Sequence, residues 1–420
     1  MDYFEVTSPV VKLDSLWIIL AVAIQNWWAI ETMDVKGTYL NSTLDEEIYM
    51  CQPDGFDDGS GHVLKLHRAI YGLKQSGRSW YKKLTMVLFD DGFTCSHADD
   101  CIFYKKSGDP LTIITIYVDD LGLFASTRVL MARVKHLLHS NIIMKDLGEM
   151  LKILGIRVEI DPQRDSIKLS QGHYINVLVK HFNLVEAPPV DTPVAHDIKT
   201  LLPWSASDHA PDVPYAQVIG SLMYAALGSC PDIAFAVQQL SCHTHNYTEA
   251  HWTAVKRIIR YLKGTRNRGI TLCRSSSTPL IEIYADADFA GLADSHSIGG
   301  YFCLYNGCVV ARLSKKQTWI ALLTTESESM ALIPGAKHAL WVSHLHDEHG
   351  LPCTEPIHVY CDNLQTISNI QDASHHPHTK HLHIKCHWTC ELVAHDEASI
   401  TYVKSADNIT DVLTNVINLF

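Results

Sequence analysis

The run Thr112-Ile113-Ile114-Thr115-Ile116-Tyr117-Val118-Asp119-Asp120-Leu121-Gly122-Leu123-Phe124 decides the fold. Two β-prone apolar stretches flank a pair of acids, which reads as a hairpin with both carboxylates at its tip. Adjacent carboxylates repel, so placing two at the end of buried strands calls for a cation to hold them. Two divalent ions at such a tip would clamp the attacking and leaving oxygens of an in-line phosphoryl transfer. Asp-Asp is also an ordinary turn dipeptide, so a solvated turn is the alternative. The flanking strands and the upstream residues favour the cation.

Upstream lies Met33-Asp34-Val35-Lys36-Gly37-Thr38-Tyr39-Leu40-Asn41, after an apolar run from Leu16 to Ile30. Asp34 closes a strand-like segment, Ala29 to Val35, and is placed to supply a third carboxylate. The segment Leu66-His67-Arg68-Ala69-Ile70-Tyr71-Gly72-Leu73-Lys74-Gln75-Ser76-Gly77-Arg78-Ser79-Trp80-Tyr81 follows.

A length of 420 residues predicts two or three domains. The apolar fraction is 47% and mean hydropathy is near zero, which fits a globular chain. Twelve cysteines show no paired spacing and follow no signal peptide, so reduced thiols and an intracellular setting are expected. The run Leu16 to Ile24 is too short to span a bilayer and predicts a buried helix; no membrane partner is expected. The net charge of −12 argues at first against a nucleic-acid binder. Local basic stripes offset that objection. One comprises Lys65, Arg68, Lys74, Arg78, Lys82 and Lys83; the other comprises Lys256, Arg257, Arg260, Lys263, Arg266 and Arg268. The second falls on an amphipathic helix with Trp252, Val255, Ile258, Ile259 and Leu262 on its apolar face and Gly264 as a C-terminal cap. The stripes read either as phosphate-tracking grooves or as solvated helix faces.

Residues 1–187 mix strands and helices around the three Asp residues. Residues 188–214 carry six prolines and predict an extended connection. Three helices are expected next, Tyr215 to Gly228, Pro231 to His245 and Glu249 to Lys263, with Pro231 at a first helical position. From about 278 the pattern predicts strands near 280–286, 298–304 and 307–313, a helix over 326–348 and a strand over 356–361.

The chain resembles the reverse transcriptase of Ty1/copia-type retrotransposons, continuing into the attached ribonuclease H domain. The resemblance rests on Met33-Asp34-Val35-Lys36, Asp45-Glu46-Glu47-Ile48-Tyr49-Met50, Tyr71-Gly72-Leu73-Lys74-Gln75, Tyr117-Val118-Asp119-Asp120 and Met144-Lys145-Asp146-Leu147-Gly148. It continues through Gly220-Ser221-Leu222-Met223-Tyr224, Pro231-Asp232-Ile233-Ala234 and Arg260-Tyr261-Leu262-Lys263-Gly264-Thr265, and runs to about residue 415. It implies an α/β (α+β) fold: a right-hand polymerase palm with partial fingers over 1–187, a Pro-rich linker with thumb and connection helices over 188–277, and a ribonuclease H-like domain over 278–420. It also implies a chain that enters the family pattern partway through the fingers subdomain.

By this resemblance Asp34, Asp119 and Asp120 hold two Mg²⁺ (or Mn²⁺) ions for nucleotidyl transfer. Asp286, Glu328, Asp362 and Asp411 hold two more for RNA-strand hydrolysis. Asp288 is a nearby alternative to Asp286, and Glu328 rather than Glu326 matches the helix glutamate. Tyr39 stands where related polymerases place an aromatic gate against a ribose 2′-hydroxyl; a core tyrosine is the alternative. Gly72, Lys74 and Arg78 fall in the segment that shapes the nucleotide and template pocket, and Gly155 falls in a primer-grip-like Leu154-Gly155-Ile156. The implied partners are an RNA template, a DNA primer, their RNA/DNA hybrid and deoxynucleoside triphosphates. The implied setting is a cytoplasmic virus-like particle, with a nuclear stage. His375, His376, His378, His381, His383 and His387, with Cys386 and Cys390, invite a zinc reading, but no paired spacing supports it. Four departures stand out: Trp17 for the family's Arg, Gly77 for Pro, Ser327-Glu328-Ser329 for Ala-Glu-Tyr, and Asn415 for Lys. A bifunctional enzyme, a nucleic-acid-binding remnant and a nuclease alone all remain open.

Overall fold

In the computed structural model the described residues are 7–106, 111–195, 198–201, 211–275, 279–351, 353–371 and 388–416. They form two compact units, Met1–Leu154 and Gly155–Phe420. The breaks expected at 187 and 277 both fall inside the second unit.

The first unit begins with α1 (Leu13–Gln25), in which every residue from Ser15 to Ile24 is buried. Its apolar side chains leave it no solvated face, so it is a core helix, as its length suggests. Then come β1 (Ala29–Val35), β2 (Thr43–Met50), β3 (Leu64–Arg68), α2 (Ser76–Asp90), β4 (Thr94–Cys95) and β5 (Ile102–Lys106). The unit is completed by β6 (Leu111–Tyr117), β7 (Asp120–Ala125), α3 (Arg128–Asn141), β8 (Met144–Glu149) and the short β9 (Lys152–Ile153). Six strands form one sheet in the order β4-β5-β6-β7-β1-β8, while β2 and β3 pair apart as an exposed hairpin. The central strands β6 and β7 are buried almost throughout, which is why their sequence is continuous in Ile, Leu and Phe rather than alternating.

The second unit opens with β10 (Ile156–Ile160), β11 (Ser166–Ser170) and α4 (Gly172–His181), followed by α5 (Tyr215–Gly228), α6 (Ala234–Ser241), α7 (Glu249–Thr265) and β12 (Ile270–Cys273). β10, β11 and β12 form an antiparallel ladder. The helices share one apolar core that includes Tyr215, Leu222, Phe235, Val255, Ile258, Ile259 and Leu262. Two expectations need correction here. The helix predicted over Pro231 to His245 is a 3₁₀ turn, Pro231–Ile233, leading into the shorter α6. Gly264 does not cap α7: the helix runs through it to Thr265. A Cβ at that position would lie 3.1 Å from Pro189 Cβ, so the glycine serves close packing of the connection against the helix.

The remaining elements are β13 (Ile281–Asp288), β14 (Ile298–Tyr305), β15 (Cys308–Lys316), α8 (Thr324–His349), β16 (Ile357–Cys361), α9 (Leu364–Gln371), β17 (Ala398–Tyr402) and α10 (Asp411–Thr414). Their sheet has the order β15-β14-β13-β16-β17. The first three strands are antiparallel, and β13, β16 and β17 run parallel. Gly335 lets α8 lie against this sheet, since a Cβ there would stand 2.7 Å from Ile283 Cγ2. The fold is thus mixed, with an antiparallel six-stranded sheet and a part-parallel five-stranded sheet on one chain.

Candidate active sites

The hairpin tip forms as its sequence suggests. β6 and β7 join through Val118 and Asp119, with Tyr117 opposite Asp120. β1 lies on the other side of β7, in a register that sets Asp34 opposite Asp120. The three acids therefore meet at one end of the sheet. Val118 sits at φ 55°, a left-handed conformation that is unfavourable for a β-branched residue. Two hydrogen bonds hold the turn there. The Trp80 indole N–H donates to Val118 O at 2.6 Å, and Val35 N donates to Asp119 O at 3.1 Å. Neither Trp80 nor Val118 stands out in the sequence as part of the site, because both act through backbone geometry.

Charge accumulates at this tip. Asp120 is pushed above the usual carboxylate range by burial, then by Asp119 and Asp34, with Lys152 partly offsetting them. Tyr39 lies in a 3₁₀ turn, Thr38–Asn41, with its ring 4.5 Å from that of Tyr71. Its hydroxyl is pushed up by burial, by Tyr71 and by Asp119, so it stands within electrostatic reach of the acids. Tyr71 carries with it the turn of Gly72, at φ 100°, and the exposed Lys74, while Arg78 is half-buried on α2. Gly155 opens the second unit and is not among the residues that the first unit gathers. There, at φ 78°, a Cβ on Gly155 would come within 2.7 Å of the Tyr224 hydroxyl.

The second constellation is deeper. Asp286 lies on β13 and is 5% exposed; Glu328 lies in the first turns of α8 and is 8% exposed. Asp362 follows β16 directly, and Asp411 opens α10. α10 reaches the sheet because Gly300 of β14 has no side chain: a Cβ there would stand 2.9 Å from Leu413 Cβ. Asn408 Nδ2 donates to Ala285 O at 3.1 Å, and Thr414 Oγ1 donates to Asp286 Oδ2. Ser405 Oγ donates to Asp362 Oδ2 at 2.7 Å.

Burial pushes Asp286 up to about 6, with Asp411 and Asp362 adding to it and Thr414 opposing. Burial, then Asp286 and Asp362, pushes Glu328 up to about 9. Asp411 is raised by burial and by Asp362. Glu328 Oε2 has no hydrogen-bond partner. Like-charged, hard oxygen donors with one atom left unsatisfied fit a divalent cation. The three acids of the first unit offer hard oxygen donors at one end of the sheet, with weaker burial. Among the described residues, one set of three ligand atoms lies within 4.8 Å of one another: Glu328, Cys361 and Asp362. Cys361 escaped the sequence reading, although it adjoins Asp362.

The neighbouring acids go elsewhere. Asp288 pairs with Lys199 at 2.6 Å, and Glu326 Oε2 accepts from Leu322 N at 2.7 Å. Asn415 accepts from Lys199 at 2.8 Å, and Trp17 is buried in α1. Of the histidine-rich segment, residues 375–387 lie outside the described residues; Cys390 is half-buried.

The basic stripes are largely engaged within the protein. Arg257 donates to Thr192 Oγ1 at 2.7 Å, Arg260 to Pro188 O at 2.7 Å and Lys263 to Ala187 O at 2.8 Å. Lys256 pairs with Glu249 and Lys82 with Asp45, each at 3.6 Å, and Lys65 pairs with Glu47. Half of the α7 stripe thus anchors the proline-rich connection, because backbone carbonyls that no ladder satisfies need donors.

Comparison with known proteins accords with this architecture. A family model described as reverse transcriptase (RNA-dependent DNA polymerase) matches residues 1–196. The retrovirus-related Pol polyprotein from transposon TNT 1-94 of Nicotiana tabacum is 36% identical over 99% of this chain and 32% of its own length. A Ty5-1 transposon protein of Saccharomyces cerevisiae is 33% identical over 70% of this chain and 96% of its own length. The chain therefore spans about a third of the longer polyprotein. In fold it is similar to the foamy viral protease-reverse transcriptase solved with an RNA/DNA hybrid, with a TM-score of 0.53 at 13% identity, over 98% of this chain and 48% of that one. A chain that aligns from end to end with a transposon Pol polyprotein, and almost the whole of a Ty5-1 protein, belongs to the Ty1/copia-type retrotransposon Pol polyprotein family.

Proposed function

We propose that this chain is an RNA-directed DNA polymerase with ribonuclease H activity. The observation that carries the reading is the register of Asp34 opposite Asp120, with Asp119 beside it at the hairpin tip, in a chain of this family. Asp34, Asp119 and Asp120 would hold divalent ions in one site, and Asp286, Glu328, Asp362 and Asp411 in the other. When bound, Mg²⁺ or Mn²⁺ pairs supply charge neutralisation for an in-line displacement at phosphorus.

The protein's own groups do the rest. The strained turn, pinned by Trp80, fixes the direction of Asp119. Tyr39 presents its ring beside Asp119, where bulk excludes a 2′-hydroxyl and favours deoxynucleoside triphosphates. Lys74, exposed three residues after Tyr71, and Arg78, half-buried on α2, are cations that suit phosphates of the template or nucleotide. Gly155 allows a tight turn that suits primer contact. In the second site, burial keeps Glu328 protonated until a cation arrives. The 2′-hydroxyl is the mark by which RNA in a hybrid is told from DNA.

In this reading 1–187 polymerises, 188–277 connects and 278–420 cleaves, on an RNA template and DNA primer, inside a cytoplasmic particle. No described helix is long and apolar enough to cross a membrane. A second reading, ribonuclease H alone, is favoured by one fact: the tight set of ligand atoms lies in the second unit.

One gel separates the readings. A dye-labelled DNA primer is annealed to a longer RNA template carrying a second dye, with deoxynucleotides and Mg²⁺. Extension with RNA shortening is the expected result. Shortening alone selects the nuclease; neither, from a folded chain, makes it a non-catalytic remnant.

A further inference from the structure

Cys361 ends β16 with its side chain 0% exposed. Its sulfur lies within 4.8 Å of carboxylate oxygens of both Glu328 and Asp362. The sulfur's one recorded hydrogen bond is weak, from Asn363 N at 3.5 Å. A buried thiol by itself is ordinary core. This one faces a carboxylate that is also buried, 8% exposed, whose Oε2 has no partner. Two half-satisfied ligands of different softness thus point at one spot.

We propose that Cys361, Glu328 and Asp362 form a binding site for a thiophilic divalent ion, Zn²⁺ or its analogue Cd²⁺. Hard ions such as Mg²⁺ take oxygen and leave the sulfur unused. Zn²⁺ takes thiolate and carboxylate together in a tetrahedron, at about 2.3 Å to sulfur and about 2.0–2.2 Å to oxygen. Such ligand atoms stand roughly 3.5 Å apart, so the three atoms need to close by no more than about 1.3 Å. As the sulfur–metal bond forms, the thiol proton leaves to solvent. Water or Asp286 completes the shell.

The consequence rests on the ribonuclease reading given above. Glu328 and Asp362 cannot serve a soft ion and a hard ion at once, so the soft ion excludes Mg²⁺ and blocks RNA cleavage. The acids of the first unit gather no described cysteine, so DNA extension is spared. The site would make one of two activities on the same chain sensitive to zinc.

The test is a crystal of the full chain grown with Cd²⁺, read by anomalous scattering. The expected result is a cadmium peak bonded to Cys361 Sγ and to the two carboxylates. A Cys361→Ser crystal should lack that peak. In solution, sulfur-to-cadmium charge-transfer absorption should show the variant binding this ion at least about 100-fold more weakly, beyond what loss of an outer-shell partner causes. Cadmium on the carboxylates alone, with equal occupancy in Cys361→Ser, overturns the proposal. So does cadmium confined to the histidine-rich segment 375–387. If the serine chain does not fold, the wild-type crystal decides by itself. Cadmium at Cys361 in a chain that cleaves no RNA would remove the ribonuclease reading and leave this site standing. Cleavage without cadmium at Cys361 would do the reverse.

Discussion

Replacing Glu328 with Gln should abolish a pH dependence of stability that the metal-free protein shows. Burial, followed by the charges of Asp286 and Asp362, pushes Glu328 from its ordinary 4.5 up to about 9. Between those two values the folded chain keeps a proton that the unfolded chain has released. The unfolded state then binds fewer protons, so stability falls as pH rises. The contribution is complete below the unfolded pKa and is lost as pH climbs through the folded one. One proton of difference corresponds to about 1.4 kcal/mol per pH unit, so roughly 2–3 kcal/mol disappears between pH 6 and pH 8. Asp286, pushed up to about 6, finishes its own titration in the lower half of that window. Glutamine keeps the shape and has no proton to lose. Urea unfolding in a chelator at pH 6, 7 and 8, with hydrogen exchange on α8 amides, scores the second unit by itself. His243, His251 and His346, each pushed down by burial, add stability as pH rises and oppose Glu328 in the wild type. The difference between the two chains therefore decides: an unchanged slope in Glu328→Gln would refute the reasoning. Added Mg²⁺ should remove the slope in the wild type, because a bound cation favours the ionised carboxylate.

The other predictions concern single sites. Asp119→Asn should remove primer extension and spare RNA cleavage, and Asp362→Asn should do the opposite; a folded single variant that loses both would sink the two-site reading. Gly155→Ala must hold a left-handed backbone and displace the Tyr224 hydroxyl, so it should lose about 1–2 kcal/mol in urea unfolding, and a neutral result would show that the turn relaxes. Arg260→Met should lose about 1 kcal/mol with the Pro188 hydrogen bond and leave the salt slope of nucleic-acid binding unchanged; a slope smaller by about one would mean that the guanidinium contacts phosphate. The Mg²⁺ midpoint for cleavage should fall about tenfold per pH unit for each proton displaced from the buried acids, more steeply than the midpoint for extension, and equal slopes would contradict the difference in burial.

Much of this fold is legible because its signals are local. An unbroken apolar run marks α1, and the acids of the hairpin interrupt two runs of Ile and Leu at the position where a strand must turn. The helix over residues 215–228 and the first four strands of the last sheet are legible for the same reason, whereas β17, Ala398–Tyr402, lies where the sequence suggests only short helices. What local pattern cannot show is how a side chain is used. Arg257, Arg260 and Lys263 read as a phosphate stripe, yet they spend donors on a connection about 70 residues earlier. Gly264 carries the signature of a cap, but a distant proline, not the helix end, requires it. Asp286 and Asp288 sit two apart on one strand, so they share a face and spacing does not separate them. Lys199, far off in the chain, engages Asp288 and leaves Asp286 to the cluster. Trp80, Thr414 and Cys361 enter the sites only through tertiary packing.

The two carboxylate sets answer the same physical problem in different ways. Three like charges at the hairpin tip are half-exposed, so water carries much of the repulsion, and Asp120 is raised by burial and by its two neighbours. Around β13 and α8, Asp286 and Glu328 have little water, and both are raised chiefly by burial, as is Asp411. The free second site therefore carries a proton on Glu328 at neutral pH. A cation entering the second site has to displace that proton. Metal binding by the buried set is thus tied to pH and to folding of the sheet beneath it, since α8 and α10 reach that sheet only through Gly335 and Gly300. The exposed set depends instead on one strained turn, whose direction Trp80 fixes. Damage to packing should reach the buried site first, and damage to the Val118 turn should reach the exposed one alone.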